Sequence, residues 1–252
     1  MKRNTLIALI SLLVILLLWR HGPIAQEISY HQFADQRSFA GIPNFWDVVS
    51  NFPMFLPGGA LVALLVGYWK HPALRSRRCM LALLAIGMLL TGAGSAYYHY
   101  APDNHTLVWD RLPMTMIFIS FFAWMVHDFA APIAGRYLLS GGIPLGIFTI
   151  WYWQYTESTG AGDLRPYMLV QFLPMLLLPV IVIGAASRPA YSRWLWWVMG
   201  WYVLAKVTEH FDRAIFEAGG IWSGHTLKHF FAAVALYGMV RMAQSLVAEH
   251  GQ

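Results

Sequence analysis

Five polar side chains stand in otherwise apolar surroundings, and their spacing suggests shared chemistry: Ser95, His99, Asp110, His225 and His229. Residues four apart on a helix lie on one face, about a turn from each other. His225 and His229 would therefore present two imidazoles side by side, the geometry by which paired helical histidines grip a metal ion. Ser95 and His99 have the same spacing. Asp110 follows His99 by eleven residues, across a stretch whose Pro102, Asp103 and Asn104 favour a tight turn. It thus opens the next helix close to where His99 ended. Each motif alone has a plainer reading. Ser95 can bond back to its own helix, and His99 can sit at an interface. Asp110 can complement the dipole of a helix N-terminus or pair with Arg111. An isolated H-x-x-x-H pair is common.

The elements that would position these residues are membrane spans. Hydrophobic residues make up 58% of the 252 and charged residues only 12%, where soluble domains carry roughly 25% charge. That leaves too little polar surface to cover a soluble fold. The charges also cluster between apolar stretches near the ~20 residues that a bilayer crossing needs. The sequence predicts an all-α polytopic membrane bundle: an N-terminal signal-anchor helix within 1–22, an external or interfacial segment over 23–44, and a seven-helix domain over 45–246. The seven spans fall at about 45–69, 79–100, 108–127, 137–154, 166–186, 194–212 and 223–245. The leading run has a basic start and ends on Trp19 and Arg20, with no small-residue cleavage pattern after it, so it reads as uncleaved. Pro57, Pro144, Pro174 and Pro179 are tolerable inside spans, because neighbouring helices can satisfy the freed carbonyls.

Lys70, Arg75, Arg77 and Arg78 in loop 70–78, with Arg188 and Arg193 in loop 187–193, fall on the side of Lys2 and Arg3 if each segment crosses once. The bias of basic residues toward the cytoplasm puts both chain ends there. It also accounts for the net charge of +5, so no nucleic-acid partner is expected. Cys79 is the only cysteine, which excludes an intrachain disulfide and a thiolate metal cage.

With eight crossings, the end of the third helix and the starts of the fourth and eighth lie at one external face. Three histidines, a carboxylate and a hydroxyl then converge at one depth, where ionisable residues are expensive and functional by default. Zinc accepts three imidazole nitrogens and keeps a fourth position for water. Haem ligation by a histidine pair would leave Asp110, Ser95 and one histidine without a role. Lys206, Glu209, His210, Asp212 and Arg213, at the external end of the seventh of the eight helices, are expected to form an ion-paired network around the centre. His127 and His105 read as interfacial; His21, His31, His71 and His250 read as solvated.

S-x-x-x-H, then an Asp in a D-x-L-P-M context, then H-x-x-x-H in the last helix resembles the signature of the CREST superfamily, which includes the alkaline ceramidases and the adiponectin/progestin receptors. The stretch Asn44-Phe-Trp-Asp-Val-Val-Ser-Asn51 is similar to the E-F-W-N-T-x-S-N segment opening the first core helix of alkaline ceramidases, and favours that branch. The resemblance covers roughly 40–246. It implies zinc held by His99, His225 and His229, with Asp110 and Ser95 managing its water and Tyr167 as a second oxyanion donor. The implied reaction is hydrolysis of the amide of a ceramide-like membrane lipid. A lipid-binding or receptor-like protein with a structural zinc is the alternative. The family's calcium loop ends in a Glu that stands here as Asn44, and Asp35 is the only carboxylate shortly before it, so a complete calcium site is not expected. The leading helix is additional to the family core. Both departures suggest a bacterial member in the cytoplasmic membrane, with the zinc site toward the external face.

Overall fold

The computed structural model describes residues 2–249; His250 lies outside them. Among the described residues the chain is helical, with a single β-bridge between Phe39 and Ile42 as its only extended pairing. The helices are α1 (Arg3–His21), α2 (Phe45–Val49), α3 (Phe55–Gly67), α4 (Arg78–Tyr100), α5 (Asn104–Phe129), α6 (Pro132–Ser158), α7 (Arg165–Ile183), α8 (Arg193–His210), α9 (Asp212–Gly219) and α10 (Gly224–Glu249).

Seven helical stretches are long and apolar enough to cross a membrane: α1, α2 with α3 (Phe45–Gly67), α4, α5, α6, α7 and α10. They make this a multi-pass membrane protein. Their outer faces carry large apolar side chains such as Leu13, Leu56, Ile133 and Leu176, each more than half exposed, as a lipid-facing surface requires. α8, expected as a further span, is 18 residues long and holds three charged residues, Arg193, Lys206 and Glu209, a number that α5 and α10 each spread over 26 residues. The interior prolines behave as expected: α6 runs through Pro144, and α7 through Pro174 and Pro179.

The chain divides into two compact units, Met1–Glu27 with Thr115–Pro189, and Ile28–Met114 with Ala190–Gln252. In the first, α1 is tied to its neighbours at both ends. Arg3 donates to the Phe129 carbonyl (2.9 Å), and the Arg165 guanidinium lies 4.6 Å over the Trp19 ring. The chain beyond α1 is fastened too, Leu164 N–H to the Ile24 carbonyl (2.8 Å) and Gln26 N–H to Glu157 (2.6 Å). Asp163 and Arg165 form a buried bidentate pair, both bonds 2.8 Å. Burial raises the Asp163 pKa, but the Arg165 guanidinium and backbone N–H outweigh it and hold the carboxyl below its usual range. His127, expected at an interface, is buried and bonded to Asp128 at 2.6 Å. An apolar cleft of about 310 Å³ runs between α5, α6 and α7, past Ile119, Leu145, Leu169 and Leu173.

The second unit packs α10 against α8 and α3, and α4 against α3 and α2. Close approach depends on missing side chains. A Cβ on Gly94 of α4 would overlap the Trp109 carbonyl of α5, and one on Gly224 would overlap the Thr208 carbonyl at the end of α8. These contacts bring the end of α4 against the start of α5, and the start of α10 against the end of α8.

Candidate metal centre

His99 ends α4 and is fully buried; His225 and His229 occupy successive turns of α10, at 4% and 1% exposure. Their rings meet at centroid distances of 4.7 Å (99–225), 4.8 Å (99–229) and 5.0 Å (225–229). One nitrogen from each lies within 4.8 Å of the others. His99 Nε2 and His225 Nε2 are 3.3 Å apart. Two nitrogens at the ~2.0–2.1 Å zinc bond length and tetrahedral angle stand about 3.3 Å apart, so this pair has the required separation. His229 Nε2 has no hydrogen-bond partner although buried. Such a nitrogen is costly, and a coordinated ion would satisfy it. The three residues fit a metal.

The surrounding residues orient the ligands. Ser50 directs its hydroxyl to the Asp47 carbonyl (3.3 Å) and thereby accepts from His229 Nδ1–H (2.7 Å). This leaves the lone pair on Nε2, facing the other two rings. Ligating histidines commonly depend on such a partner for tautomer and orientation. Asp47, with no exposed surface, accepts from the Thr226 hydroxyl (2.7 Å) and joins the short α2 to α10. Asp212 bridges two backbones, accepting from His225 N–H (2.7 Å) and from Ala34 N–H (3.0 Å). Phe33 closes the outer side, its ring 4.6 Å from that of His99 and 4.9 Å from that of His225.

Ser95 and Asp110 are both buried and hydrogen-bonded to each other. Ser95 lies one turn before His99 on the same face of α4, so this pair sits ~6 Å along the helix from the first ligand. The expected turn between His99 and Asp110 is present. Asp103 Oδ1 accepts from Thr106 N–H at 2.7 Å, and that bond holds its pKa below the usual carboxylate value. Tyr167 belongs to the other unit, where it is buried on α7.

The charged cluster expected at 206–213 divides. Lys206 Nζ (2.6 Å) and Lys228 Nζ (3.0 Å) both bond Glu209, and Lys228 also reaches His225 Nε2 (2.8 Å). Asp212 serves the backbones as described, while His210 and Arg213 are exposed. His31, expected to be solvated, is instead fixed at both ring nitrogens, by Tyr98 (2.9 Å) and Asn104 (3.0 Å). In the segment compared with a calcium loop, both Asp35 oxygens are engaged by Arg37, at 2.8 and 2.6 Å, so a guanidinium already neutralises that carboxylate. Asn44 donates to the His99 carbonyl (2.9 Å).

Phe33, Asp47, Ser50 and Lys228 are absent from the residues that the sequence singles out, whereas Asp212, expected in an ion-paired network, accepts from two backbone N–H groups. Ser50 and Asp47 fall in the stretch carrying the family resemblance, and Lys228 lies inside the H-x-x-x-H motif. Phe33 has no local signal. No protein-family model and no curated protein matches this chain.

Proposed function

We propose that this protein is a zinc-dependent lipid amidase of the alkaline ceramidase type, seated in a bacterial cytoplasmic membrane with its centre toward the external face. The observation that carries the reading is the buried convergence of His99, His225 and His229, with the hydrogen-bonded Ser95–Asp110 pair one turn away on α4.

Bound zinc would polarise the amide carbonyl and bring the pKa of a water to about 7. His99, His225 and His229 are its ligands, and Ser50 keeps the His229 lone pair on Nε2. Asp110 accepts a proton from the attacking water on its carboxylate and returns it to the departing amine nitrogen. The carbon–nitrogen bond breaks, a carbon–oxygen bond forms, and the products are a fatty acid and an amine. Ser95 holds the carboxylate in place through its hydroxyl. Phe33 limits water at the outer side, which strengthens the charge interactions within. The external end of the spans suits an amide next to a lipid headgroup.

The purified chain, incubated with N-acyl sphingoid lipids, is expected to release free fatty acid detectable by mass spectrometry. Asp110→Asn should keep its metal and lower kcat by about 100-fold or more. Metal retained with no fatty acid released from any N-acyl lipid would instead support a structural zinc in a lipid-binding protein.

A further inference from the structure

Arg241 stands alone in the apolar run of α10 between Lys228 and Glu249, inside a stretch fit to cross a membrane. It lies about 18 Å along the helix from His229, toward the end of the second unit remote from the histidines. A charge in such a place is expensive and normally paired. Among the described residues no carboxylate forms an ion pair with it. Its Nη1 donates to the neutral Tyr237 hydroxyl at 3.1 Å, and its buried Nε has no acceptor.

A second guanidinium shares the place. Arg193, the first residue of α8, lies 5.5 Å from the Trp194 ring, and Arg241 lies 5.0 Å from the same ring. The indole face attracts each cation but carries no net charge, so two positive charges remain. Trp194 Nε1–H is likewise buried without an acceptor, and no carboxylate of the described residues pairs with Arg193. Loop 70–78, whose Pro72–Leu74 turn packs against α10, brings Lys70, Arg75, Arg77 and Arg78 to this end. The one acid here is Glu249, about 12 Å along α10 from Arg241; Asp35, Asp47, Asp110, Glu209 and Asp212 belong to the histidine end. Arginine stays charged at any working pH, so the imbalance does not depend on titration.

We propose that Arg193 and Arg241, beside Trp194, bind the phosphate of a net-anionic phospholipid. Guanidinium forks match phosphate oxygens in pairs, and tryptophan favours the level of the headgroups. Arg193 is exposed and Arg241 partly so, which leaves both within reach of a lipid. A zwitterionic headgroup would bring another cation to a place that already holds two. The general bias of basic residues to one membrane face needs only loop charges; it does not call for two arginines from different helices at one indole.

The test is native mass spectrometry of the full chain in detergent, titrated with dioleoylphosphatidylglycerol or dioleoylphosphatidylcholine. The Kd for the first lipid bound should be about tenfold lower for phosphatidylglycerol. Arg193→Gln, at an exposed position, should reduce that preference to about threefold, and Arg193→Gln/Arg241→Gln should abolish it. Lys70→Gln removes an equal charge from the neighbouring loop and should leave the preference intact. Equal Kd values on the unsubstituted chain would overturn the proposal, as would a preference that survives the double substitution. A loss in Lys70→Gln as large as in Arg193→Gln would also overturn it, since the surface would then act only as a diffuse charge. Melting temperatures without added lipid check folding, and if the double variant does not fold, Arg193→Gln against Lys70→Gln decides. No metal enters the titration, so its outcome is independent of the amidase reading.

Discussion

Ser50→Ala isolates how the protein prepares a ligand, because Ser50 touches His229 and no other imidazole of the triad. Both residues are about 1% exposed, and their bond is 2.7 Å. Without the hydroxyl, the Nδ1–H of His229 is buried with no acceptor, at a cost of about 1–3 kcal/mol. The free protein avoids this by moving the proton to Nε2 or by turning the ring, and either change removes the lone pair from the centre. Metal binding must reverse that change, so the same energy appears as weaker affinity. At ~1.4 kcal/mol per tenfold, the zinc Kd should rise by about 5- to 150-fold, in the range found for lost partners of ligating histidines. The assay is competition with a fluorescent chelator on protein in lipid nanodiscs, with the melting temperature of the stripped protein as a folding control. A Kd within twofold of wild type, with an unchanged melting temperature, would refute the assignment of Nε2 as the ligating atom.

Asp163→Asn should destabilise the protein by about 3 kcal/mol, because it leaves the Arg165 guanidinium buried without its carboxylate. The Asp163 pKa is lowered in the folded state, so its stabilisation is present above the unfolded carboxylate pKa and is lost as pH falls through the folded one. The gap in melting temperature between variant and wild type should hold at neutral pH and narrow below about pH 4. Gly94→Ala should cost about 1–3 kcal/mol by forcing α4 from the Trp109 carbonyl, seen as a lower melting temperature and weaker zinc binding together. A Gly94→Ala protein with wild-type melting temperature and metal affinity would contradict the close approach of α4 and α5.

The helices and the three histidines were legible in the sequence because both depend on local periodicity. Apolar runs of span length mark most of the helices, and four-residue spacing puts His225 with His229 on one face of α10. The turn before Asp110 was readable from Pro102, Asp103 and Asn104 for the same reason. A count of apolar residues does not reveal the charges on α8, where Lys206 pairs with Glu209 and Lys228 joins the same carboxylate from another helix. Ser50 and Phe33 were invisible because each acts on a histidine far along the chain; Ser50 and His229 are 179 residues apart. His31 was misread for a related reason: an exposed histidine and one fixed between Tyr98 and Asn104 look alike until the segment before α2 is placed.

The central claim is that His99, His225 and His229 together hold one zinc ion. The most direct measurement is elemental analysis of purified protein beside a His225→Ala/His229→Ala variant of equal melting temperature. The account predicts about one zinc per wild-type chain and none in the variant. Wild-type protein that holds no metal after incubation with zinc, or a variant that retains the full amount, would contradict it.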